Sequence, residues 1–210
     1  MFTECTGVIL AGGKNSRFNG QNKAFLRLSG RRLVSPVIDL FLSLFDQVIV
    51  VTSNPLAYLE WNVMVVTDVF DVKSSLTGIH TGLFYANTPF VFVAACDTPF
   101  IRKELVSLIV SEIRPGLAAV MPETRSGVEP LLAAYSKESL PVVERGLEAG
   151  KLKIARLFKK MRVKHVSEKR VLAADPQLIS LFNINTPEDL DRAAAMAQNN
   201  ADGLVKSFSW

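Results

Sequence analysis

The fold of this chain is decided by residues 7–23, which read G-V-I-L-A-G-G-K-N-S-R-F-N-G-Q-N-K. A short apolar run, Val8 to Ala11, has the composition of a strand and breaks directly into a glycine pair. Because glycine has no Cβ, backbone N–H groups in such a loop can approach an anion closely, and Lys14, Arg17 and Lys23 add cationic charge. The stretch predicts a strand that feeds a phosphate-binding loop, with an ordinary strand-to-helix turn as the alternative. It contains neither G-x-G-x-x-G nor G-x-x-x-x-G-K-[ST], so neither a dinucleotide-binding fold nor a P-loop ATPase is predicted.

Composition excludes several other classes of protein. With 210 residues, 49% of them hydrophobic, the chain can bury a large core as one domain. Its net charge of +4 suits an anionic small molecule as well as nucleic acid. Cys5 and Cys96 lack C-x-x-C spacing and lie far from His80 and His165, which argues against zinc sites, Cys/His catalysis and a disulfide framework. No stretch has the ~20 apolar residues of a membrane span and the first six residues are no signal peptide, so we expect a cytoplasmic protein without a membrane partner.

Downstream of the glycine loop, strand and helix patterns alternate. The predicted elements are a helix over 34–45, strands over 47–52 and 63–66 around a short helix over 55–61, a helix over 78–86, a strand over 90–95, a helix over 105–112, strands over 117–121 and 127–135, helices over 139–149 and 153–158, and a helix from residue 187. This order predicts an α/β fold, a Rossmann-like three-layer α/β/α sandwich whose mostly parallel sheet includes an antiparallel strand. We expect a single domain over 1–198 and a loosely ordered tail over 199–210.

The end of the 90–95 strand carries a second motif, A-C-D-T-P-F at 95–100. An aspartate in the place of Asp97 commonly caps a helix or a turn, and Pro99 supports that interpretation. A carboxylate at the end of a buried strand is nevertheless costly unless a cation meets it, and the glycine loop would bring phosphates to the same edge of the sheet. Phosphates and a carboxylate together predict a shared divalent cation, Mg²⁺, with Asp97 as its protein ligand.

Residues 7–23 resemble the signature L-A-G-G-x-x-x-R-[MF]-G-x-D-K of nucleotidyltransferases with a nucleotide-diphospho-sugar-transferase fold. The matching residues are Leu10, Ala11, Gly12, Gly13, Arg17, Phe18, Gly20 and Lys23. Asn19 is an additional residue, and Asn22 stands where the signature has an acidic residue. The A-C-D-T-P-F stretch matches the motif that carries the metal-binding aspartate of these enzymes. The resemblance implies that the loop from Leu10 to Gly13, together with Lys23, binds a nucleotide.

Between these motifs, Asp68 closes a strand and precedes S-S-L-T-G-I-H-T-G-L at 74–83. Its carboxylate could accept hydrogen bonds from the N1–H and the amino group of guanine, or it could cap a turn. The stretch resembles the run D-…-G-P-L-x-G of the molybdenum cofactor guanylyltransferases, in which the aspartate recognises the base. Leu76 and Gly78 match that run, which implies that Gly78 lies at the nucleotide, whereas Ser74 and Ser75 replace its Gly-Pro pair. The other candidates for nucleoside contacts, for which a solvated loop is the alternative, are Thr52 and Asn54.

Near the C-terminal end, residues 182–190 read F-N-I-N-T-P-E-D-L. Thr186 as N-cap, a proline at the first helical position and acidic residues in the first turn predict the start of a helix. Asn183 and Asn185 alternate with Ile184 and so point the same way from an extended segment. The stretch resembles F-x-N-[IV]-N-T-P-E-[DE]-L of the same family, which implies that both asparagines lie near the site for the acceptor substrate.

A basic run at 151–164 has two interpretations. Its charged residues include Lys153, Arg156, Lys159, Lys160 and Arg162. Such a run is typical of a solvated helix face, and the alternative is that it lines the mouth of a site for a second anionic substrate. Nucleic acid is not expected as a partner, because Phe158 alone interleaves with these charges to stack bases.

The resemblance extends from residue 7 to residue 190 and identifies the chain as a member of the molybdenum cofactor guanylyltransferase family. It implies a Mg²⁺-dependent transfer of GMP from GTP to molybdopterin with release of pyrophosphate, and possible contacts with other proteins of molybdenum cofactor synthesis. Lys23 at the α-phosphate, Arg17 at the leaving pyrophosphate and Asp97 on the metal would suffice, since this transfer needs positioning and charge stabilisation. The alternatives are a related transferase that uses CTP or acts on a sugar or lipid phosphate, and a non-catalytic nucleotide-binding homologue.

Overall fold

The computed structural model describes residues 1–12 and 22–203. The strands are β1 (Cys5–Leu10), β2 (Arg27–Leu28), β3 (Arg31–Arg32), β4 (Val48–Val51), β5 (Met64–Val66), β6 (Phe90–Ala95), β7 (Ala119–Thr124), β8 (Gly127–Val128), β9 (Leu132–Ser136) and β10 (Val163–Ser167). The α-helices are α1 (Val34–Leu44), α2 (Ser75–Tyr85), α3 (Lys103–Ser111), α4 (Leu140–Glu148), α5 (Ile154–Phe158), α6 (Glu168–Ala174) and α7 (Pro187–Gly203). None of these helices is long and apolar enough to cross a membrane.

The main sheet has eight strands in the order β10-β7-β9-β6-β1-β4-β5, with the short β8 paired to β7. Strands β6, β1, β4 and β5 pair in parallel, as do β7 and β10, whereas β9 runs antiparallel between β6 and β7. The predicted mixed sheet with an antiparallel strand is therefore confirmed. All six residues of β1 are buried, as expected for a central strand that is covered on both faces.

Helices cover both faces of the sheet and complete the three layers. One apolar cluster joins the sheet to α1, α3 and α6, and a second cluster joins its other face to α2, α4 and α5. Helix α2 comes unusually close to β1, because a Cβ on Gly82 would lie 2.7 Å from Val8 Cγ1 and one on Gly78 would lie 2.9 Å from Leu10 Cδ2. These two glycines fix the position of α2 against the strand that ends in the glycine loop.

Several elements differ from the sequence prediction. The strand expected over 127–135 is divided into β8 and β9 by a turn in which Leu132 N–H donates to Glu129 C=O. Pro130 lies in this turn and cannot donate to a ladder. Strand β10 and helix α6 were not predicted. For β10 the reason is that this edge strand buries only the side chain of Val166, so its alternation of apolar and polar residues is weak. Helix α7 continues to Gly203, beyond the predicted start of the tail, and residues 204–210 lie outside the described residues.

Candidate active site

The carboxyl ends of β1 and β6 place the first two predicted motifs side by side. Leu10 is paired with Ala95 at the last position of both strands, and Cys96 N–H donates to Leu10 C=O at 3.0 Å. Ala11, on the other side, donates its N–H to Val51 C=O at 2.8 Å. The glycine loop and Asp97 therefore leave the sheet at the same edge, where ligands of parallel α/β sheets bind.

Three side chains from distant parts of the chain meet at this edge. Lys23 Nζ lies 2.6 Å from Asp97 Oδ2 and 2.9 Å from Asn185 Oδ1. The side chains of Lys23 and Asp97 are only 18% and 19% exposed, so solvent screens this ion pair incompletely. Within the described part of the chain, Asp97 Oδ1 is buried and accepts no hydrogen bond. A buried carboxylate oxygen without a donor is costly, and this one is available to a further cation.

The turn that carries Lys23 is held by the residue that departs from the family signature. Lys23 begins a 3₁₀ turn over Lys23–Phe25, and Asn22 Oδ1 accepts the N–H of Ala24 at 3.1 Å. Asparagine is an effective cap without a charge, so the usual acidic residue is not required to hold this turn. The carboxylate that faces Lys23 comes instead from Asp97.

The segment before α7 positions Asn185. Ile184 is buried and donates its N–H to Asp97 C=O at 3.0 Å, which joins this segment directly to the end of β6. Asp189 Oδ2 accepts the N–H groups of Asn185 and Thr186, both at 3.0 Å, while Asp189 N–H donates to Thr186 Oγ1 at 3.2 Å. Sequence reasoning missed this role of Asp189, although the acidic residue three positions after an N-cap threonine was a usable signal. Asn183 is exposed, as is Asn185, in the predicted alternation with Ile184.

Three of the residues predicted to bind the nucleotide have different local surroundings. Thr52 is buried, and its hydroxyl donates to Ala11 C=O at 3.4 Å and accepts the N–H of Asn54 at 3.2 Å. It therefore ties the end of β4 to the end of β1, whereas the Asn54 side chain is exposed at that edge. Gly78 lies inside α2 against Leu10, where its visible role is close helix packing.

Asp68 follows β5 and lies on an exposed part of the same edge of the sheet. Partial desolvation raises the pKa of its carboxyl, while the Thr81 hydroxyl and the Lys73 ammonium act in the opposite direction. Ser74, which replaces glycine in the family run, has a clear local function. Its hydroxyl accepts the N–H of Thr77 at 3.1 Å and thereby caps the start of α2.

The remaining predicted residues belong to the glycine loop and to the basic run. Leu10 and Ala11 are buried at the end of β1 and Gly12 is exposed, while the predictions for Gly13 and Arg17 fall outside the described residues. Arg162, in the predicted basic run, accepts the N–H of Ala118 with its carbonyl, just before β7 begins. Because β7 is parallel to β6, Arg162 lies at the sheet edge opposite Asp97 and cannot line the mouth of this site.

The donor set fits a hard divalent cation that also binds phosphates. No group of three or more His, Cys, Asp and Glu side chains in residues 1–12 and 22–203 could hold a metal by itself. Asp97 and Asn185 nevertheless bring two oxygen atoms around one cationic group, the ammonium of Lys23. Mg²⁺ prefers oxygen ligands, keeps several waters and is commonly held by one or two carboxylates together with substrate phosphates.

A lysine, an aspartate and an asparagine that meet at the carboxyl ends of the central strands are the arrangement expected of a nucleotidyltransferase. Comparison with known proteins agrees, since the model of the MobA-like NTP transferase domain matches residues 7–166. The molybdenum cofactor guanylyltransferase of Desulfosudis oleivorans is 45% identical over 190 residues, which cover 90% of this chain and 94% of that protein. The one from Syntrophotalea carbinolica is 34% identical and 89% of each chain is covered.

A solved structure extends this similarity to three dimensions. The molybdopterin-guanine dinucleotide biosynthesis protein A of Archaeoglobus fulgidus superposes with a TM-score of 0.83 at 27% sequence identity, covering 92% of this chain and 99% of that one. The chain belongs to the MobA-like nucleotidyltransferases, in the molybdenum cofactor guanylyltransferase family.

Proposed function

We propose that this member of the guanylyltransferase family transfers GMP from GTP to molybdopterin, releases pyrophosphate, and uses Mg²⁺ held at Asp97. The observation that carries the proposal is the position of Lys23 Nζ, in contact with Asp97 Oδ2 and Asn185 Oδ1. Asp97 follows β6, whose last residue is paired with the last residue of β1, so these groups lie at the sheet edge from which the glycine loop departs. We therefore expect the phosphates of the nucleotide and a divalent cation to bind at this one edge of the sheet.

The strand order supports a direction for the bound nucleotide. Asp68 follows β5, the glycine loop follows β1 and Asp97 follows β6, in the spatial order β5-β4-β1-β6. Neighbouring strands lie about 4.8 Å apart, so Asp68 is roughly 10 Å to one side of the glycine loop. That separation suits a base at Asp68 with its phosphates at the loop. The acceptor then approaches from the opposite side, past Asn185 and the ends of β9 and β7.

Each residue has a distinct part in the chemistry. Lys23 supplies positive charge to the α-phosphate of GTP, where negative charge increases in the transition state. Asp97 and Asn185 would hold Mg²⁺, which neutralises phosphate charge when it is bound. Arg17 is proposed to bind the leaving pyrophosphate. A phosphate nucleophile is already ionised near neutral pH, so the reaction requires no general base from the protein.

Asp68 is proposed to select guanine. Its carboxylate can accept hydrogen bonds from the guanine N1–H and 2-amino group, whereas adenine presents a lone pair at N1 and no 2-amino group. A site built to pair with such donors can reject an analogue that lacks them by up to about 10⁴-fold. Asp68 is accessible at the surface, so a smaller ratio is expected here.

Pyrophosphate release tests the proposal when GTP, ATP and CTP are each supplied with and without molybdopterin. We expect release with GTP only when molybdopterin is present. Asp68→Ala should narrow the difference between GTP and ATP, and Asp71→Ala, a matched change in the same exposed loop, should leave it unchanged. Asp97→Asn should fold normally and lose turnover by orders of magnitude. A preference for CTP, or full activity of Asp97→Asn, would contradict the assignment.

A further inference from the structure

His80 is a buried polar residue that the proposed reaction does not use. It lies in α2 with 1% of its surface exposed, and its Nε2 is 3.2 Å from Glu144 Oε1 on α4. The other ring nitrogen, Nδ1, is buried and has no hydrogen-bond partner among the described residues. A leucine would fill this space without an unsatisfied polar atom, so apolar packing does not account for a histidine here.

The ring of His80 contacts the segment that carries the proposed base-selecting residue. Phe70 lies edge-on to His80, with ring centroids 4.7 Å apart and an interplanar angle of 84°. Phe70 is two residues after Asp68, in the connection between β5 and α2. Edge-to-face packing depends on the orientation of both rings, and the hydrogen bond to Glu144 fixes the orientation of His80.

The same face of α2 provides the other anchors of this connection. Val69 N–H donates to Thr81 Oγ1 at 3.2 Å, and the hydroxyl of Thr77 donates to Val72 C=O. Thr77, His80 and Thr81 are three and four residues apart, as required for one face of a helix. Val69 and Val72 are themselves 44% and 36% exposed, so they contribute little burial that could hold the segment.

We propose that His80 is a positioning residue for base recognition, which holds Phe70 and thereby keeps the Asp68 carboxylate in place for the guanine base. This inference rests on the proposed role of Asp68. Glu144 orients the His80 ring from α4, and the ring sets where the connection lies on α2. Helix α2 packs closely against β1, so the base-selecting segment is held on the strand that leads into the glycine loop.

The test compares the dissociation constants of GTP and ITP, because ITP differs from GTP only by lacking the 2-amino group. Loss of one hydrogen bond to a carboxylate should make ITP bind about tenfold more weakly than GTP to the wild type. In His80→Leu and in Phe70→Leu we expect this ratio to fall below about threefold, because GTP then loses two hydrogen bonds to the carboxylate and ITP, which keeps the N1–H, loses only one. The double variant should show no larger fall than either single variant, because both remove one contact.

Phe84→Leu is the matched control. Phe84 also contacts the His80 ring, in a stacked arrangement with centroids 6.2 Å apart, but it belongs to α2 itself and not to the connection. Its replacement should keep the wild-type ratio. If His80→Leu does not fold, the GTP-to-ITP ratio is measured in Phe70→Leu and Glu144→Ala instead, because both side chains are only partly buried. The ratio should fall in both variants.

The outcomes separate this inference from the proposed function. If the GTP-to-ITP ratio falls in Asp68→Ala but keeps its wild-type value in the Phe70 and His80 variants, this inference is overturned and guanine selection by Asp68 still stands. An equal fall in Phe84→Leu would also overturn it, because general loosening of α2 would then explain the effect. A wild-type ratio of one would remove both the role of Asp68 and the inference.

Discussion

Replacing Lys23 with methionine should strengthen divalent-cation binding by the nucleotide-free protein. The ammonium lies 2.6 Å from Asp97 Oδ2 and 2.9 Å from Asn185 Oδ1, between the oxygens proposed to hold Mg²⁺. At 2.6 Å and an effective dielectric constant of about 20, two unit charges attract by ~6 kcal/mol. Desolvation, side-chain ordering and the residual exposure cancel much of this attraction. The ion pair therefore opposes cation binding by a net free energy of about 1.5–3 kcal/mol. That range corresponds to roughly 10- to 100-fold tighter cation binding.

The assay is a titration with Mn²⁺ in place of Mg²⁺, in which electron paramagnetic resonance measures the free ion. Asp97→Asn should bind Mn²⁺ more weakly than the wild type. Adding Lys23→Met to it should restore little binding, because the carboxylate for which the ammonium and the metal ion compete is gone. Catalytic turnover of Lys23→Met should nevertheless fall, since the α-phosphate loses its cation. A Lys23→Met protein that binds Mn²⁺ no more tightly than the wild type would refute the shared cation site.

Three further predictions concern stability and reactivity. A Cβ on Gly82 would lie 2.7 Å from a stiff, fully buried valine, so Gly82→Ala should cost about 1–3 kcal/mol of unfolding free energy. Gly78→Ala meets the end of a leucine at 2.9 Å and should cost less, as urea titrations of both variants can show. Burial raises the pKa of Cys96 to about 12, so a thiolate fraction of ~10⁻⁴ at pH 8 should make labelling by dithionitrobenzoate slow until the protein unfolds. The backbone N–H of Asn185 lowers the pKa of the Asp189 carboxyl below its ordinary value of 3.8. The Asp189 carboxylate therefore stabilises the folded protein fully above pH 3.8, and this stabilisation is lost as the pH falls through the lowered pKa. Thermal melts between pH 2 and 5 should therefore vary less with pH in Asp189→Asn.

The sequence alone was informative wherever the signal is local. Neighbouring residues determine three of the predicted features: a strand that ends in paired glycines, an aspartate directly after an apolar run, and a helix start at a threonine-proline pair. The structure has each of them, as β1, as Asp97 after β6 and as α7. The same holds for the alternation of Asn183 and Asn185 around a buried isoleucine. Periodicity failed where a proline interrupts an apolar run, as between β8 and β9, and where a short edge strand buries one side chain, as in β10.

The tertiary structure decided which of these residues meet. Lys23 is separated from Asp97 by 74 positions and from Asn185 by 162, and no local pattern encodes that contact. Their meeting depends on the strand order, which puts β6 beside β1, and on the hydrogen bond that joins Ile184 to the end of β6. The packing role of Gly78 has the same origin, because it exists only once α2 lies on β1. Local propensities act over a few residues, whereas sheet order is selected by the burial of whole faces, and only the folded chain brings these distant groups together.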